Sequence, residues 1–228
     1  MLRRANEIQD SFTIRATDGD VGRLAQFYFD DHQWVIRYLV IDISNWSAGA
    51  DVLLPPSAVK SINPSQKVLS LGLTKDQVRN CPDINQHKPV SRQHEPESFR
   101  YFGWPLERAF EPAWEFGREA KPEIGDPHLR SSKEVIDYHL NALDGVIGHL
   151  QDLIIDDQRW RVEQLVVDTR NWWHGKHVLI SPDKIIRINW TDSTIDVCLS
   201  KKQIKEAPEF DDSTLRPQNE HARSPELF

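Results

Sequence analysis

The sequence is poor in residues that cross-link a chain or carry it through a membrane. Only 2 of its 228 residues are cysteine, Cys81 and Cys198. A disulfide framework would normally use more cysteines at matched spacings, so we expect free thiols and a cytoplasmic protein. No stretch approaches the roughly 18 apolar residues of a membrane-spanning helix. Residues 1–7 also lack the apolar run of a signal peptide, so we expect no integral membrane segment.

The motifs of common enzyme classes are also missing. The sequence has no phosphate-binding glycine loop, dinucleotide fingerprint, clustered thiolates or ordered Ser-His-Asp set. We therefore expect neither an enzyme nor a bound cofactor. Acidic residues outnumber basic ones by 35 to 28, and the net charge is −7. Because nucleic-acid binding depends on clustered positive charge, we expect no nucleic-acid partner.

The chain does contain an internal repeat. Phe12–Ile84 aligns without a gap on Tyr138–Phe210, an interval of 126 residues. Self-similarity at one fixed interval indicates duplication of a single folding unit. Three strings show the correspondence best: Asp18–Gly22 with Asp144–Gly148, Asp30–Trp34 with Asp156–Trp160, and Asp42–Trp46 with Asp168–Trp172.

Each repeat has the pattern of short strands separated by tight turns. The Asp18-Gly19 pair is typical of a hairpin turn, and Gly22 and Gly148 are expected to tolerate no side chain beside that turn. The run Tyr38–Ile41 is apolar throughout, which favours a central strand covered on both faces. Five or six such strands in about 70 residues predict a mainly β fold with a small closed barrel in each repeat. A two-sheet sandwich is the alternative.

A short helix is predicted at the end of each repeat. Thr74–Gln77 and Ser200–Gln203 both place a hydroxyl residue three positions before glutamine, the pattern of a capping box. Pro82 and Pro208 are expected to end these helices, because proline cannot continue the helical hydrogen bonding.

These motifs resemble those of PRC-barrel proteins, in particular bacterial proteins with two tandem PRC-barrel repeats. The resemblance rests on the Asp-Gly-x-hydrophobic-Gly and Asp-Asp-x-x-Trp turns of both copies, and on the strand 37–42 with its counterpart 164–168. Two further strings characterise the second copy: the introductory segment 126–131 and the segment 171–182, which reads Asn-Trp-Trp-His-Gly-Lys-His-Val-Leu-Ile-Ser-Pro. The likeness covers nearly the whole chain apart from the tail.

The resemblance implies a fold more than an activity. Related barrels form the cytoplasmic domain of the photosynthetic reaction-centre H subunit and the C-terminal domain of a ribosome maturation factor, and in both they are docking modules. This sequence shows neither the membrane helix of the first nor the separate N-terminal barrel of the second. An accessory role in photosynthetic electron transfer or ribosome maturation therefore rests on fold analogy alone.

The expected organisation follows from the repeat. Residues 1–84 form the first PRC-barrel repeat, 85–137 an aromatic-rich linker, 138–210 the second repeat and 211–228 a disordered tail. Domains of this size bury a modest fraction of their surface, so docking on each other or on a second chain is expected.

Aspartates recur at two places in each repeat. The adjacent pairs Asp30-Asp31 and Asp156-Asp157 could hold a hard cation or act as an acid and base. Neighbouring strand residues point to opposite faces, however, so we expect these pairs to accept turn amides instead. Asp42 and Asp168, at the end of the apolar strand, could act as bases, but amide hydrogen bonds in the following turn are the expected role.

Histidines are concentrated in the second repeat, and they are its best metal candidates. They are His139, His149, His174 and His177. His174 and His177 are three residues apart in a loop, but no further ligand motif lies nearby, and Lys176 opposes a cation. We therefore expect a surface loop and no bound metal.

Exposed tryptophans are candidates for protein contacts. Trp46 and Trp172 are equivalent and are expected to fill the end of each barrel, whereas Trp173 is expected to face a neighbouring protein. The linker contains too many aromatic residues for a free tether, among them Trp104 and Trp114. We expect it to lie over a barrel surface or over another subunit.

The sequence thus predicts a non-catalytic adaptor with an unidentified protein partner, expected to form a homodimer. Six residues are predicted to make its contacts: Trp104, Trp114, Trp172, Trp173, His174 and His177. The alternative is a ligand-binding protein or enzyme that uses a groove between the barrels, lined by polar residues such as His139, His149 and Glu163.

Overall fold

The computed structural model describes residues 1–44, 51–81, 128–169, 176–211 and Leu215. It is mainly β, as the sequence predicts. The first part contains β1 (Leu2–Arg4), α1 (Ala5–Ser11), β2 (Thr13–Ala16), β3 (Gly19–Asp30), β4 (Ile36–Asp42), β5 (Asp51–Leu54), β6 (Val59–Asn63), β7 (Val68–Leu71) and α2 (Lys75–Arg79).

The second part begins with β8 (Leu129–Ser131) and repeats most of the same elements. They are β9 (His139–Ala142), β10 (Gly145–Asp156), β11 (Arg161–Asp168), β12 (His177–Ile180), β13 (Ile185–Asn189), β14 (Thr194–Val197) and α3 (Lys201–Lys205). Short 3-10 helices, Pro56–Ala58 and Pro182–Lys184, connect the fourth and fifth strands of each repeat.

The strands form two sheets of seven, one for each repeat. Their pairing orders are the same: β5-β4-β3-β2-β7-β6 in the first sheet and β12-β11-β10-β9-β14-β13 in the second. In both, the first hairpin pairs antiparallel, and its first strand pairs parallel with the last strand of the repeat. Among the described residues, no ladder joins the two end strands of either path.

The seventh strand of each sheet comes from the other half of the chain. β1 pairs antiparallel with β10, so that Arg3 lies opposite Ile155. β8 pairs antiparallel with β3, so that Arg130 lies opposite Phe29. Because Phe29 and Ile155 are equivalent in the repeat, this is a reciprocal exchange of leading strands.

The two repeats also meet directly between their equivalent tryptophans. The Ile36 amide donates to the Trp160 carbonyl at 2.7 Å, and the Val162 amide donates to the Trp34 carbonyl at 2.8 Å. These bonds surround a single bridge between Val35 and Arg161. Since each bond maps onto the other under the repeat, the halves are related by an approximate twofold axis at this point.

The larger of two hydrophobic clusters among the described residues runs through both repeats. Its largest members are fully buried and come from both halves, including Phe27, Phe29, Leu39 and Leu140. Helix α1 packs against both β3 and β10 and buries Ile8. The repeats therefore share their burial, which accounts for the stability of two units that are each small.

Several local expectations are confirmed. Thr74 and Ser200 each form a complete capping box with the glutamine three residues later. Trp34 and Trp160 have positive φ angles of 60° and 53° and lie before β4 and β11, so neither tryptophan belongs to the strand that follows it. The turn aspartates have a further role that the sequence did not suggest, since Asp18 Oδ1 accepts the first amide of α2 at 2.8 Å.

Gly22 and Gly148 stand where no side chain fits, but the reason differs from the expected one. Both lie inside long strands beside β-bulges, not in the hairpin turn. A Cβ atom on Gly22 would lie 1.9 Å from the carbonyl oxygen of Asp42, and one on Gly148 would lie 2.1 Å from that of Asp168. The constraint is therefore a close backbone approach across the ladder.

Within the described ranges, no helix is long and apolar enough to cross a membrane. The two cysteines are not bonded to each other: Cys81 is buried, whereas Cys198 is exposed. Burial raises the pKa of the Cys81 thiol to about 12, so this thiol is unreactive at neutral pH.

Candidate functional site

In the pair Asp30-Asp31 of the first repeat, the first aspartate binds its own turn and the second binds the exchanged strand β8. Asp30 Oδ1 accepts the amides of His32 and Gln33, both at 2.8 Å, which is the structural role expected from the sequence. Asp31 points instead to the segment that leads the second repeat. Its carboxylate lies 2.7 Å from Arg130 Nε and 2.9 Å from His128 Nδ1.

The second repeat has the matching arrangement. Asp156 accepts the amide of Gln158 at 2.9 Å, and Asp157 accepts a hydrogen bond from the Arg3 guanidinium. The Met1 ammonium donates to both carboxylates, at 3.0 and 2.7 Å. Arg3 and Asp157 are almost completely buried, as are Arg130 and Asp31. The aspartate pairs are thus the anchors of the exchanged strands.

Burial has the largest effect on the pKa of Asp31, the aspartate that binds the exchanged strand β8. It raises the pKa of Asp31 above its usual value, although the hydrogen bond from His128 and the charge of Arg130 act in the opposite direction. Asp156, the first aspartate of the pair in the second repeat, has the opposite shift: the hydrogen bond from the Gln158 amide lowers its pKa. These shifts fit carboxylates that hold structure together.

A second buried carboxylate anchors β1. Asp152 is fully buried and accepts hydrogen bonds from Arg4 Nε at 2.7 Å, the Asn6 amide at 3.2 Å and the Leu153 amide at 2.8 Å. Burial raises its pKa, while the Arg4 hydrogen bond lowers it. The equivalent of Asp152 in the first repeat is Gln26, which accepts from Ser131 of β8.

One buried hydroxyl joins three separate elements. Ser132 Oγ lies 2.6 Å from Gln9 Nε2 of α1 and accepts the Phe27 amide of β3 at 2.9 Å. Ser132 and Gln9 are both buried. Because Ser132 follows β8 directly, this contact fixes the leading segments of both repeats against β3.

The carboxylates at the end of the apolar strands have different partners in the two repeats. Asp42 accepts the Ser44 amide at 2.9 Å and an Arg23 hydrogen bond at 3.1 Å, and its pKa is lowered mainly by Ser44. In the second repeat, Asp168 is buried and its Oδ2 lies 3.8 Å from His149 Nε2 and 3.7 Å from His177 Nε2. His149 occupies the position of Arg23, so an imidazole replaces a permanent cation.

An open pocket of about 620 Å³ lies beside His177. It is formed by β1, by the second sheet and by the segment that follows α3. That segment pairs with β12, since the Leu179 amide donates to the Pro208 carbonyl and the Phe210 amide to the His177 carbonyl. The residues that line the pocket are Arg4, Gln151, His177, Glu209, Phe210 and Asp211.

The pocket is mixed in charge. Arg4 already binds Asp152 and lies over the Phe210 ring at 5.7 Å, and Lys176 pairs with Glu209 at 3.1 Å. His177 Nε2 is buried and makes no hydrogen bond within the described residues. The pocket can therefore accept a polar group, but it offers no arranged set of catalytic side chains.

Exposed apolar side chains mark a second surface. Leu143 is 69% exposed, Ile186 is 59% exposed and Val146 is 43% exposed. They lie at one end of the second sheet on β13, the β9–β10 hairpin and β10, and the exposed Cys198 lies between them at the end of β14. We call these four residues the apolar row.

The first repeat has a different surface at the same place. The equivalents of the row are Thr17, Asp20, Lys60 and Gly72. Asp20 binds Arg15 at 2.6 Å, and the Lys60 side chain covers Gly72 closely. The scaffold is duplicated, but this patch is polar in one copy and apolar in the other.

The structure places one of the six predicted contact residues, His177, which lines the pocket. The other five, Trp104, Trp114, Trp172, Trp173 and His174, fall outside the described residues, as does Trp46. His139 is the ladder neighbour of His149, but neither lines the pocket, and Glu163 does not line it either. Among the residues with described positions, no group of three or more His, Cys, Asp or Glu could hold a metal ion.

The anchors of the exchanged strands were missed, although the sequence contained a signal. The dipeptide Leu2-Arg3 returns as Leu129-Arg130, an interval of 127 residues against 126 elsewhere. A two-residue match outside the aligned region is too short to stand out without the structure.

Comparison with models of known protein families gives no match, and no curated protein matches the chain either.

Proposed function

We propose that this protein is a non-catalytic protein-interaction module built from two PRC-type repeats. The polar residues common to both copies are committed to the fold. Asp18 and Asp144 cap the terminal helices, and Asp31 and Asp157 anchor the exchanged strands. An interlocked body of this kind is a rigid platform, because neither repeat can move without breaking the strand pairing of the other.

The observation that carries the proposal is the difference between the two copies of one surface. Exposed apolar residues that form a contiguous patch are typical of protein contacts, whereas scattered ones are not. The exposed apolar residues of the row come from neighbouring elements at one end of the second sheet, around the hydrogen-bonded group of Asn141, Asp196 and Arg187. Their counterparts in the first repeat are Thr17, Asp20, Lys60 and Gly72. The first repeat thus acts as an internal reference for an ordinary solvated surface.

The experiment compares equivalent positions of the two repeats. A photo-crosslinking amino acid is placed at Leu143 in one version of the full chain and at Thr17 in another, and both are irradiated in cells. We expect discrete covalent protein adducts from position 143 and not from position 17. An adduct of twice the chain mass identifies a second copy, and any other mass identifies a different partner.

The proposal fails if position 143 gives no more adduct than position 17. It also fails if the purified protein shows catalytic turnover that His177→Ala abolishes while the melting temperature is kept.

Within this proposal, each sheet is a small closed barrel of the PRC type. The end strands of each path are joined by a single 3-10 turn of three residues, which brings them near each other. The long strands β3 and β10 each carry β-bulges, which increase twist and bending. Strong curvature and short end connections are what closure of a small sheet requires.

The pocket beside His177 favours a second candidate function, the binding of a small molecule. Its volume of about 620 Å³ lies within the usual range for ligand sites. Its lining contains Arg4 as well as Glu209 and Asp211, so it favours a small polar ligand that carries charges of both signs. A melting-temperature screen with small zwitterionic molecules tests this function, and a shift that persists in His177→Ala and Glu209→Gln would contradict it.

A further inference from the structure

The first sheet buries apolar side chains on both of its faces. Along β4, Leu39 and Ile41 belong to the core that the two repeats share, whereas neighbouring residues alternate between the faces of a strand and so point to the opposite side. This opposite face carries a second cluster of buried residues: Tyr28, Tyr38, Val40, Leu53 and Leu129. We call these five residues the outer cluster.

The outer cluster is shielded from solvent. Tyr38 is 3% exposed and Val40 is completely buried. Burial also raises the pKa of the Tyr28 phenol to about 12. The second face of an antiparallel sheet is commonly solvated and polar. Burial to this degree therefore requires a covering layer on the outer side of the first sheet.

The second repeat is more polar and more exposed on the same face. Gln164 stands at the position of Tyr38. Leu2, which corresponds to Leu129 in the exchange of leading strands, is 40% exposed, whereas Leu129 is 7% exposed. The apolar covering is thus a property of the first repeat and does not follow from the duplicated scaffold.

The chain beyond the terminal helix reaches this face in the second repeat. The Arg4 guanidinium lies over the Phe210 ring at 5.7 Å, and Arg4 shares its face of β1 with Leu2 because the two are alternate residues. In the first repeat the terminal helix is α2, which packs against β3. The chain continues from α2 through residues 82–127, outside the described residues, to β8. Leu129, at the start of β8, belongs to the outer cluster, so this stretch ends at the face itself.

We infer that the outer cluster is the docking site of an aromatic stretch of this same chain, residues 99–116. The stretch contains seven aromatic residues: Phe99, Tyr101, Phe102, Trp104, Phe110, Trp114 and Phe116. A solvated tether does not carry so many rings. The 15 residue steps from Trp114 to Leu129 span up to about 50 Å, whereas the face from β8 across β3 and β4 to β5 is about 15 Å wide. The stretch can therefore cover the whole outer cluster.

This docking assigns Trp104 and Trp114 to the interior of the chain, so they do not serve as contacts for another protein. The proposed function is carried by the apolar row, which lies on the second sheet. The inference goes beyond that function and does not depend on it, so either can fail without the other.

Photo-crosslinking of the purified full chain tests the inference. A photoreactive phenylalanine derivative replaces Tyr38 in one version and Gln164, the matched position of the second repeat, in another. After irradiation, mass spectrometry identifies the joined peptides. We expect position 38 to give a product of unchanged chain mass in which its peptide is joined to one from residues 99–116, and position 164 to give no such product. A yield at position 38 no higher than at position 164 overturns the inference. So does joining only to a second chain, or only to residues outside 99–116.

Thermal unfolding provides a second readout. Trp104→Ser with Trp114→Ser should lower the melting temperature by at least about 4 °C, because two large side chains lose their contacts with the sheet. The same double substitution should cost clearly less in a chain that already carries Tyr38→Gln, which introduces the second-repeat residue, since contacting residues are not additive. In a chain that carries Gln164→Ala it should keep its full effect. Equal losses in all three backgrounds overturn the inference. If Tyr38→Gln fails to fold, Tyr38→Leu takes its place.

Discussion

Arg130 and Asp31 are joined across the two repeats: the Arg130 Nε atom lies 2.7 Å from Asp31 Oδ2, and both side chains are largely buried. Arg3 and Asp157 repeat this contact in the opposite direction. Each leading strand is therefore fixed to the other half by an arginine and an aspartate in the same relative positions. These two contacts hold the repeats together beside the hydrophobic core that both of them share.

The first prediction concerns this anchor. Asp157→Asn should destabilise the protein by about 3 kcal/mol, because it leaves the buried Arg3 guanidinium without its counter-charge. Urea unfolding measures the change. The double variant Arg3→Met with Asp157→Leu should recover part of the loss, since it removes both charges. A single substitution that costs less than about 0.5 kcal/mol would show that the contact is not buried as described.

The second prediction concerns the close backbone approach in each repeat. Gly22→Ala and Gly148→Ala should each prevent folding or cost more than about 4 kcal/mol, because a Cβ atom collides with a backbone carbonyl oxygen. Gly72→Ala is the matched control, since a Cβ there meets only the flexible Lys60 side chain. Soluble yield and melting temperature report the outcome. Near-native melting of either strand variant would refute the register of these ladders.

The third prediction exchanges the cation beside the strand-end carboxylate. His149→Arg should stabilise the protein at pH 8 by about 0.5–1 kcal/mol, because it introduces the permanent positive charge that Arg23 supplies to Asp42. Arg23→His in the first repeat should have the opposite sign. Melting temperatures of both variants at pH 8 test the pair. If both exchanges changed the melting temperature in the same direction, the two positions would not be equivalent and the prediction would be wrong.

The fourth prediction concerns the pH dependence of Asp152. Burial raises its folded-state pKa above the unfolded value of 3.8, although Arg4 opposes the shift. The contribution of this group to stability is therefore complete below pH 3.8 and is lost as the pH rises through the folded-state pKa. Relative to Asp152→Asn, the wild type should gain stability on acidification from pH 7 to about pH 4. Urea unfolding at several pH values tests this, and a relative loss would show that the Arg4 contact outweighs burial.

Much of the local structure could be predicted because it depends on short-range chemistry. The capping boxes at Thr74 and Ser200 were confirmed, since a hydroxyl and a glutamine three residues apart satisfy two helix amides at once. The turn role of Asp30 was confirmed for the same reason.

The exchange of strands could not be predicted, because a strand of three residues is too short for its sequence to identify the strand it pairs with. Leu2–Arg4 has no periodicity, and its pairing with Ile154 to Asp156 depends on contacts between residues 150 to 154 positions apart in sequence. The difference between Lys60 and Ile186 was visible in the sequence. Its meaning depends on the structure, which places Ile186 at the same exposed end of the second sheet as Leu143 and Val146.

The most direct test of the account is whether the leading strands are exchanged within one chain. NMR on the deuterated full chain should show amide contacts between Arg3 and Ile155 and between Arg130 and Phe29. A sample that mixes two isotope labels separates contacts within a chain from contacts between chains. We predict both contacts within the chain. Their absence, or their appearance only between chains, would contradict the interlocked fold.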